Sequence, residues 1–160
     1  MDDHGVRLRR GTTEDAAAVT TLNAHVQRLH LQVAPGQFAP IDEVAPHDFF
    51  AERLASGDDL FWIAEMDSRT VGYLYAVEVH REANPFTTEQ HTLYIHHLAV
   101  DPTLRRRGVG SALFAAAEEY ATTHHLSGLR LDSWLFNEAA HAFFRRQGFE
   151  PFLARFARDL

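Results

Sequence analysis

The chain has 160 residues, of which 46% are hydrophobic and 23% charged, a size and composition typical of one folded domain rather than of a disordered or low-complexity segment. It contains no Cys, and all 15 of its basic residues are Arg, which excludes disulfides, thiolate catalysis, cysteine-ligated zinc, a P-loop lysine and a Schiff-base lysine. The formal net charge of −7 disfavours broad contacts with nucleic acid or anionic membranes and favours cationic partners.

The sequence has no segment with the apolar character of a signal peptide or of a membrane-crossing helix, which needs about 18 uninterrupted apolar residues. Residues 1–10 are instead mostly polar and charged. We therefore expect a cytoplasmic protein that does not bind membranes. We also expect a single domain over residues 1–160, because neither an internal repeat nor a linker interrupts the pattern.

The first half of the sequence predicts a strand, two helices and a long connection. Residues 6–9 alternate apolar and basic residues, as a strand does, and residues 12–15 resemble the capping box that begins a helix. Residues 31–47 carry Pro and Gly without a sustained period, which predicts a long loop of the kind that often borders a substrate site. A short helix over residues 48–55 follows, and Gly57 ends it.

The second half predicts a hairpin and then alternating strands and helices. Residues 60–66 and 70–80 are β-rich runs joined by a turn, and residues 92–100 add a third antiparallel strand. The predicted elements that follow are a helix over 109–125, a strand over 129–135, a helix over 138–147 and a closing strand over 149–156. We expect an α/β fold with a mixed, mostly antiparallel sheet flanked by helices and one parallel βαβ step.

An arginine-rich loop with two glycines follows the third of these strands. The stretch reads Leu98-Ala99-Val100-Asp101-Pro102-Thr103-Leu104-Arg105-Arg106-Arg107-Gly108-Val109-Gly110-Ser111. Glycines let the backbone approach a ligand closely, the amides at a helix start carry partial positive charge, and Arg side chains bind oxyanions. The stretch therefore predicts a local phosphate site, and a pyrophosphate is the ligand that suits it.

Three other functions are disfavoured by the same sequence. A dinucleotide site of Rossmann type would need Gly where Leu113 stands, and residues 102–107 separate the strand from the glycines. Nucleic-acid binding through Arg105–Arg107 lacks a wider basic surface. A metal site is disfavoured although the chain has eleven His, because adjacent His pairs cannot chelate from one strand face and no His-Glu-x-x-His occurs.

Two ordered motifs resemble one known superfamily. The pattern Arg105-x-x-Gly108-x-Gly110 after the Leu98–Val100 strand resembles the acetyl-CoA signature of the GCN5-related N-acetyltransferase (GNAT) superfamily. The block Asn137-Glu138-Ala139-Ala140-His141-Ala142-Phe143-Phe144-Arg145-Arg146-Gln147-Gly148-Phe149 resembles that superfamily's later motif, an Asn before a helix that ends in an aromatic pair and Gly-Phe. The order of predicted elements also agrees over residues 6–158.

The resemblance implies acetyl-CoA as cosubstrate, without a metal. The pantetheine arm would lie along the backbone at Leu98 and Val100, the pyrophosphate on the amides of residues 106–111, and Asn137 would contact CoA. The backbone amide near Leu98 would polarise the thioester carbonyl. The residues that we predict to bind the cofactor are Leu98, Ala99, Val100, Arg105, Arg106, Arg107, Gly108, Val109, Gly110, Ser111, Asn137 and Phe144.

The sequence departs from the superfamily at Phe144, where relatives usually carry a Tyr whose hydroxyl protonates the leaving CoA thiolate. Phe has no proton to donate, so another group or water must do so, or the thiolate leaves unprotonated, since a thiol of pKa about 8–9 is a fair leaving group.

An amine acceptor must lose its proton before it attacks, and three residues are candidate bases. Strand parity predicts that Tyr94 and His96 share one face with Leu98, while His97 faces the other way. The resemblance favours His96, because some relatives that acetylate arylalkylamines carry histidines at the positions of Tyr94 and His96. Glu78 is the alternative base or an anchor for the ammonium group. A water relay also stays open.

The sequence thus predicts an N-acetyltransferase that moves an acetyl group to a primary amine of a small molecule or a peptide N-terminus, by direct attack in a ternary complex. The alternative is a CoA-sensing module that has lost turnover, as the Phe at position 144 allows. Exposed strand edges are compatible with a homodimer. Aromatic residues at strand spacing form either an acceptor pocket or core, namely Trp62, Tyr73, Tyr75, Phe86 and Trp134.

Overall fold

A five-stranded sheet in the order β1-β2-β3-β4-β5 forms the centre of the fold. The computed structural model describes residues 5–42, 44–158 and 160. The strands are β1 (Arg7–Arg10), β2 (Asp59–Met66), β3 (Arg69–Arg81), β4 (Gln90–Val100) and β5 (Leu129–Leu131). The first four strands pair antiparallel, whereas β5 pairs parallel to β4. The predicted mixed, mostly antiparallel sheet with one parallel step is therefore confirmed.

Four helices cover the two faces of this sheet. They are α1 (Ala16–Val33), α2 (Val44–Ser56), α3 (Val109–Thr123) and α4 (Glu138–Arg146). One core cluster joins α1 and α2 to alternate residues of the strands, and a second cluster joins α3 and α4 to the intervening residues. In the part of the chain that the structure describes, no helix is both long and apolar enough to cross a membrane.

Turn chemistry explains the hairpin between β2 and β3. Met66 pairs with Arg69, and the two residues between them, Asp67 and Ser68, both have positive φ angles, of 49° and 61°. Two consecutive left-handed residues match the right-handed twist of the flanking strands, so the predicted hairpin is confirmed.

Gly72 allows α3 to pack tightly across the sheet. A Cβ at this position would lie 3.1 Å from the carbonyl oxygen of Ala99 and 3.1 Å from Cγ1 of Val109. The start of α3 therefore lies close over β3 and β4, which fixes where the preceding arginine-rich loop can be.

Two predicted strands need correction. The strand expected over 129–135 ends at Leu131, because the chain then turns away from β4 toward α4. The closing strand expected over 149–156 does not form, and its Phe152 and Phe156 are exposed. A three-residue β5 offers a very short edge for further pairing, and Pro151 lacks the amide hydrogen that a ladder requires.

Candidate active site

The parallel pairing of β4 with β5 is short, and a cleft opens where it stops. The ladder runs only from Leu93 opposite Leu129 to Ile95 opposite Leu131, although β4 continues to Val100. Beyond that point a cavity of about 400 Å³ lies between β4, α1, α4 and the loop after β5. Its volume is within the usual range for a small-molecule site.

A β-bulge in β4 shapes the wall of the cleft. Tyr75 pairs with His97 and Ala76 pairs with Ile95, so the register skips His96. The rings of His96 and His97 both contact Tyr75, with centroids 5.1 Å and 5.5 Å away. The two histidines thus share a neighbour on the α1 and α2 face, and strand parity, which placed them on opposite faces, is wrong here.

The same bulge separates Leu98 from His96. Leu98 packs against the core cluster beneath α3 and α4, whereas His96 stacks on Tyr75, which belongs to the opposite cluster. The expectation that both residues project to one face is therefore also wrong, because an inserted residue reverses the alternation of a strand. Tyr94 does lie beside His96, at 4.9 Å between ring centroids.

His96 is exposed and lines the cleft. Burial of its ring lowers the pKa of His96 below the usual 6.5, and the neighbouring Asp59 carboxylate opposes part of that shift. Its imidazole is therefore neutral at pH 7, which is the form that a general base needs.

His97 is packed more deeply, among the rings of Phe50, Tyr73 and Tyr75. Burial, together with the nearby histidines, lowers the pKa of His97 to about 4. Asn23 Nδ2 donates to the Tyr73 hydroxyl at 3.1 Å, and that hydroxyl lies 3.4 Å from His97 Nδ1. The contact with the Tyr73 hydroxyl orients the ring of His97.

Tyr94 has a different protonation preference. Burial and the adjacent Asp132 carboxylate raise the pKa of the Tyr94 phenol to about 12. The phenol consequently stays protonated at neutral pH, and this makes Tyr94 a hydrogen-bond or proton donor rather than a base.

Glu78 lies outside the cleft. Its two carboxylate oxygens contact the Tyr120 hydroxyl at 2.6 Å and His91 Nε2 at 2.8 Å. The hydrogen bond from Tyr120 and the contact with His91 lower the pKa of Glu78, so it stays ionised as part of a structural cluster. Among the residues described, we find no group of three or more His, Asp or Glu arranged to hold a metal ion.

The loop before α3 has the backbone of an anion site. Arg106 and Gly108 have positive φ angles, of 62° and 82°, and α3 begins at the next residue, Val109. The first amides of a helix have no intrahelical acceptor, so those of Val109, Gly110 and Ser111 are available to a ligand. Arg105 and Arg107 add positive charge beside them.

The first turn of α3 packs closely against α4. A Cβ on Gly110 would lie 3.1 Å from Cζ of Phe143, and Gln147 Nε2 donates to Ser111 Oγ at 3.0 Å. The absence of a side chain at Gly110 therefore allows α4 to pack on α3, in addition to the ligand binding that we predict for this residue. Helix α4 in turn lines the cleft with Phe143 and Phe144.

The other predicted cofactor residues divide between the cleft and the core. Leu98 and Asn137 line the cleft, and Asn137 also begins α4, where its Oδ1 accepts from the Ala140 amide at 3.3 Å. Val100 packs on the cluster beneath α3, whereas Ala99 is buried on the opposite face. Ala99 is 3% exposed, and neither Ala99 nor Val100 lines the cleft.

Several residues of the cleft escaped the sequence analysis. Asn23 and His30 of α1 and Phe38 of the following loop all line it, as does Asp132 after β5. The Pro- and Gly-containing stretch 31–47 was the available signal, because it predicted a border of a substrate site without identifying the residues. The predicted bounds of this loop and of the helix over 48–55 are wrong, since α1 continues to Val33 and α2 already begins at Val44.

Of the aromatic residues proposed for an acceptor pocket, Trp134 lines the cleft. Tyr75 supports His96, and Tyr73 is buried behind His97. Trp62 is buried in the core beneath α3, and Phe86 is exposed in the loop between β3 and β4.

Comparison with known proteins identifies the family. The model of the acetyltransferase (GNAT) family matches residues 21–149, and the chain therefore belongs to this family. An uncharacterised N-acetyltransferase from Methanocaldococcus jannaschii is 30% identical over 102 residues, which make up 64% of this chain and 44% of that protein. An uncharacterised N-acetyltransferase from Bacillus subtilis is 25% identical over 146 residues, 91% of this chain and 90% of that protein.

The chain also matches human N-acetyltransferase 8, at 29% identity over 103 residues, which are 64% of this chain and 44% of the human protein. The stretch shared with the human and M. jannaschii proteins thus spans less than half the length of either.

Solved structures share the fold. A Bacillus halodurans protein superposes with a TM-score of 0.89 at 24% identity, covering 96% of this chain and 99% of that one. An aminoglycoside N-acetyltransferase in complex with CoA superposes with a TM-score of 0.73 at 21% identity, covering 96% and 94%. At these identities the similarity is one of fold.

Proposed function

We propose that the chain is an acetyl-CoA-dependent N-acetyltransferase that transfers the acetyl group to a primary amine by direct attack in a ternary complex. The observation that carries this proposal is the cleft itself, which His96 lines from a β-bulge and which α4, packed on the start of α3, also lines. Membership of the GNAT family, whose members use acetyl-CoA, supports the same reaction.

The residues present fit the proposed cosubstrate. The amides at the start of α3 and the arginines before it suit a pyrophosphate, and the protein's net charge of −7 makes such a local positive site necessary for an anion to bind. Leu98, Phe144 and Asn137 line the cleft, and Phe143, which also lines it, packs on Gly110 at the start of α3. Bound there, acetyl-CoA supplies an activated acetyl thioester.

His96 has the role of general base in this proposal. An alkylammonium of pKa about 10.4 is mostly protonated at neutral pH, so the amine must lose a proton to attack. His96 accepts that proton, directly or through water, while the amine nitrogen forms a bond to the acetyl carbonyl carbon. The carbon–sulfur bond breaks in the same exchange, so that the products are an acetamide and the CoA thiol or thiolate.

The leaving thiolate has no hydroxyl at position 144 to protonate it. Tyr94, whose phenol stays protonated because its pKa is raised to about 12, is a donor close to His96 and is our candidate for this role. A thiolate that leaves unprotonated is equally compatible with the thiol's ordinary pKa of about 8–9.

Calorimetric titration with CoA and a thiol-release assay with acetyl-CoA and a panel of primary amines together test the proposal. We expect one CoA site per chain, and amine-dependent release of thiol. Absence of CoA binding would contradict the proposal.

The Phe at position 144 favours a second candidate function, a CoA-sensing module without turnover. Binding of CoA without amine-dependent thiol release would support that function and contradict ours, so the two assays together separate the candidates.

A further inference from the structure

Three rings from neighbouring strands stack in a row across the sheet: Phe61 of β2, Tyr75 of β3 and His96 of β4. The ring centroid of Tyr75 lies 4.5 Å from that of Phe61 and 5.1 Å from that of His96, with interplanar angles of 7° and 22°. Phe61 and Tyr75 are 2% and 4% exposed, whereas His96 is exposed. The imidazole that lines the cleft is therefore stacked on a ring that is itself enclosed.

The hydroxyl of Tyr75 is held by a carboxylate, that of Asp59. The hydroxyl donates to Asp59 Oδ1 at 2.5 Å, and the side chain of Asp59 is only 5% exposed. Ser56 Oγ donates to Asp59 Oδ2 at 2.6 Å, and Nη1 of Arg53 lies 3.7 Å from the same oxygen. Burial opposes ionisation of this carboxyl group, but the hydrogen bonds from Ser56 and Tyr75, with the charge of Arg53, outweigh burial and lower its pKa. Asp59 is therefore a carboxylate at neutral pH.

Asp59 and Tyr75 act on His96 without lining the cleft. Among the described residues, those that line the cleft include His96 but neither Asp59 nor Tyr75. Burial lowers the pKa of His96, and the carboxylate of Asp59 opposes part of that shift. The charge of Asp59 therefore stabilises the imidazolium that forms when His96 accepts a proton.

Other titratable and charged groups also surround His96. Arg53 on α2 lowers the pKa of His96 and Asp132 after β5 raises it, each by less than Asp59 does. The remaining titratable groups near the imidazole are uncharged at neutral pH, and they are Tyr75, Tyr94, His30 and His97. Among these described neighbours, Asp59 thus has the largest electrostatic effect on His96.

Resting on the proposed function, in which His96 is the general base, we propose that Asp59 and Tyr75 are positioning residues for that base. Asp59 fixes the phenol of Tyr75, and the ring of Tyr75 orients the imidazole of His96 toward the cleft. The charge of Asp59 also favours the protonated imidazole that base catalysis produces. The amine proton passes to His96, and neither positioning residue gains or loses a proton.

An NMR titration of the imidazole tests the electrostatic effect without turnover. The Cε1–H signal of His96 is identified by its absence from His96→Gln. Asp59→Asn keeps an oxygen that accepts from Tyr75 and adds an amide that can donate to Ser56, while it removes the charge. We expect the pKa of His96 to be lower in Asp59→Asn than in the wild type, and the acidic limb of kcat to move to lower pH with it. An unchanged His96 titration would overturn the proposal.

The kinetics of Tyr75→Phe test the hydrogen bond to Asp59. This substitution keeps the ring that stacks on His96 and removes only the hydroxyl. We expect kcat to fall about threefold to tenfold, as for the loss of one hydrogen bond, and the KM for acetyl-CoA to stay unchanged. A kcat equal to that of the wild type would overturn the positioning role.

Tyr120→Phe is the matched control for Tyr75→Phe. Tyr120 also donates to a carboxylate, that of Glu78 at 2.6 Å, and also stacks on a histidine, His124, with an interplanar angle of 22°. Among the described residues, these three do not line the cleft. Tyr120→Phe should therefore leave both kcat and the titration of His96 unchanged.

A double variant separates positioning from a general effect on the fold. If Tyr75 acts through His96, Tyr75→Phe has little further effect on kcat in the His96→Gln background. The same fold-loss in that background would show that Tyr75 only supports the fold, and would overturn the proposal. Urea unfolding checks that each variant is folded, and the double variant decides the outcome if Asp59→Asn is not.

Failure of this inference and failure of the proposed function give different results. If the wild type binds CoA but releases no thiol with any primary amine, the proposed function fails and the positioning role in catalysis fails with it. The NMR titration still decides whether Asp59 acts on His96. If thiol is released but Asp59→Asn and Tyr75→Phe behave as the wild type, the proposed function stands and the positioning role is wrong.

Discussion

His96 and His97 are neighbours in the chain, yet they differ in burial and therefore in the roles that we propose for them. His96 is open to the cleft, whereas His97 is enclosed by Phe50, Tyr73 and Tyr75 and is hydrogen-bonded through Tyr73 to Asn23. A base must exchange protons with a ligand, so exposure favours His96. A neutral, oriented His97 is better suited to donate a hydrogen bond into the cleft.

Replacing His96 tests its role as base. We expect His96→Gln to lower kcat about 100-fold, because general base catalysis contributes factors of this size, while the Kd for acetyl-CoA changes little. Wild-type activity should fall as pH drops through the lowered pKa of His96, below 6.5, and the variant should lack that acidic limb. His91→Gln, outside the cleft, is the control. An acidic limb that persists in His96→Gln would assign the base elsewhere.

His97 makes stability depend on pH. Its pKa is about 4 when folded and 6.5 in an unfolded chain, so between these values the unfolded state binds more protons and stability rises with pH. The gain is complete above pH 6.5, is lost as pH falls toward 4, and amounts to up to about 3 kcal/mol. In urea titrations across this range, His97→Gln should show a shallower pH dependence than the wild type. Equal slopes would refute the burial of a neutral His97.

At the scale of elements, the bulge in β4 decides where the functional side chains lie. The β-rich composition of residues 92–100 predicted the strand correctly, but period two cannot locate an extra residue. The bulge is fixed by the pairing of Tyr75 with His97 and of Ala76 with Ile95. Those partners are about 20 residues away in the chain, and no local pattern at His96 reports them.

The packing of α3 on the sheet depends on Gly72. Because an added Cβ would lie 3.1 Å from the Ala99 carbonyl oxygen, we expect Gly72→Ala to lower the free energy of unfolding by about 1–3 kcal/mol. Urea unfolding at constant m-value measures this change. Gly36→Ala is the control, since nothing lies within 4 Å of a Cβ at that position. Equal effects of the two substitutions would contradict the close contact.

The start of α3 offers a second test with a matched control. Gly108 and Gly57 both have positive φ angles, of 82° and 78°, so Ala imposes similar backbone strain at either position. Only Gly108 lies in the stretch 105–111 where we propose that the pyrophosphate binds. We expect Gly108→Ala to weaken CoA binding about tenfold or more in calorimetry, and Gly57→Ala to leave it unchanged. Equal CoA affinity in both variants would place the pyrophosphate elsewhere.

For the whole molecule, the order of elements could be predicted because each has a local signature. Helical periodicity marked α3, turn residues marked the hairpin at Asp67 and Ser68, and the order of strands and helices implied the parallel step. The prediction of a closing strand over 149–156 was wrong. A strand there would have to pair with the edge of β5, and β5 is only three residues long.

The cluster of four aromatic rings formed by His30, Phe38, Trp134 and Phe136 could not be predicted for the same physical reason. His30 and Trp134 are separated by more than half of the chain, and their common location exists only after α1 and β5 have packed on the sheet. Motifs in the sequence predict the pyrophosphate site at residues 105–111, which is continuous in the chain. The cleft is assembled from β4, α1, α4 and the loops after α1 and β5, so it emerges only in the folded structure.

Mass spectrometry of the reaction products tests acetyl transfer at this cleft most directly. The wild-type chain incubated with acetyl-CoA and a panel of primary amines should yield an acetamide from at least one of them, with one CoA thiol released per molecule of product. His96→Gln should yield about 100-fold less product in the same time. Failure of the folded, CoA-binding wild type to acetylate any primary amine of the panel would contradict the central claim.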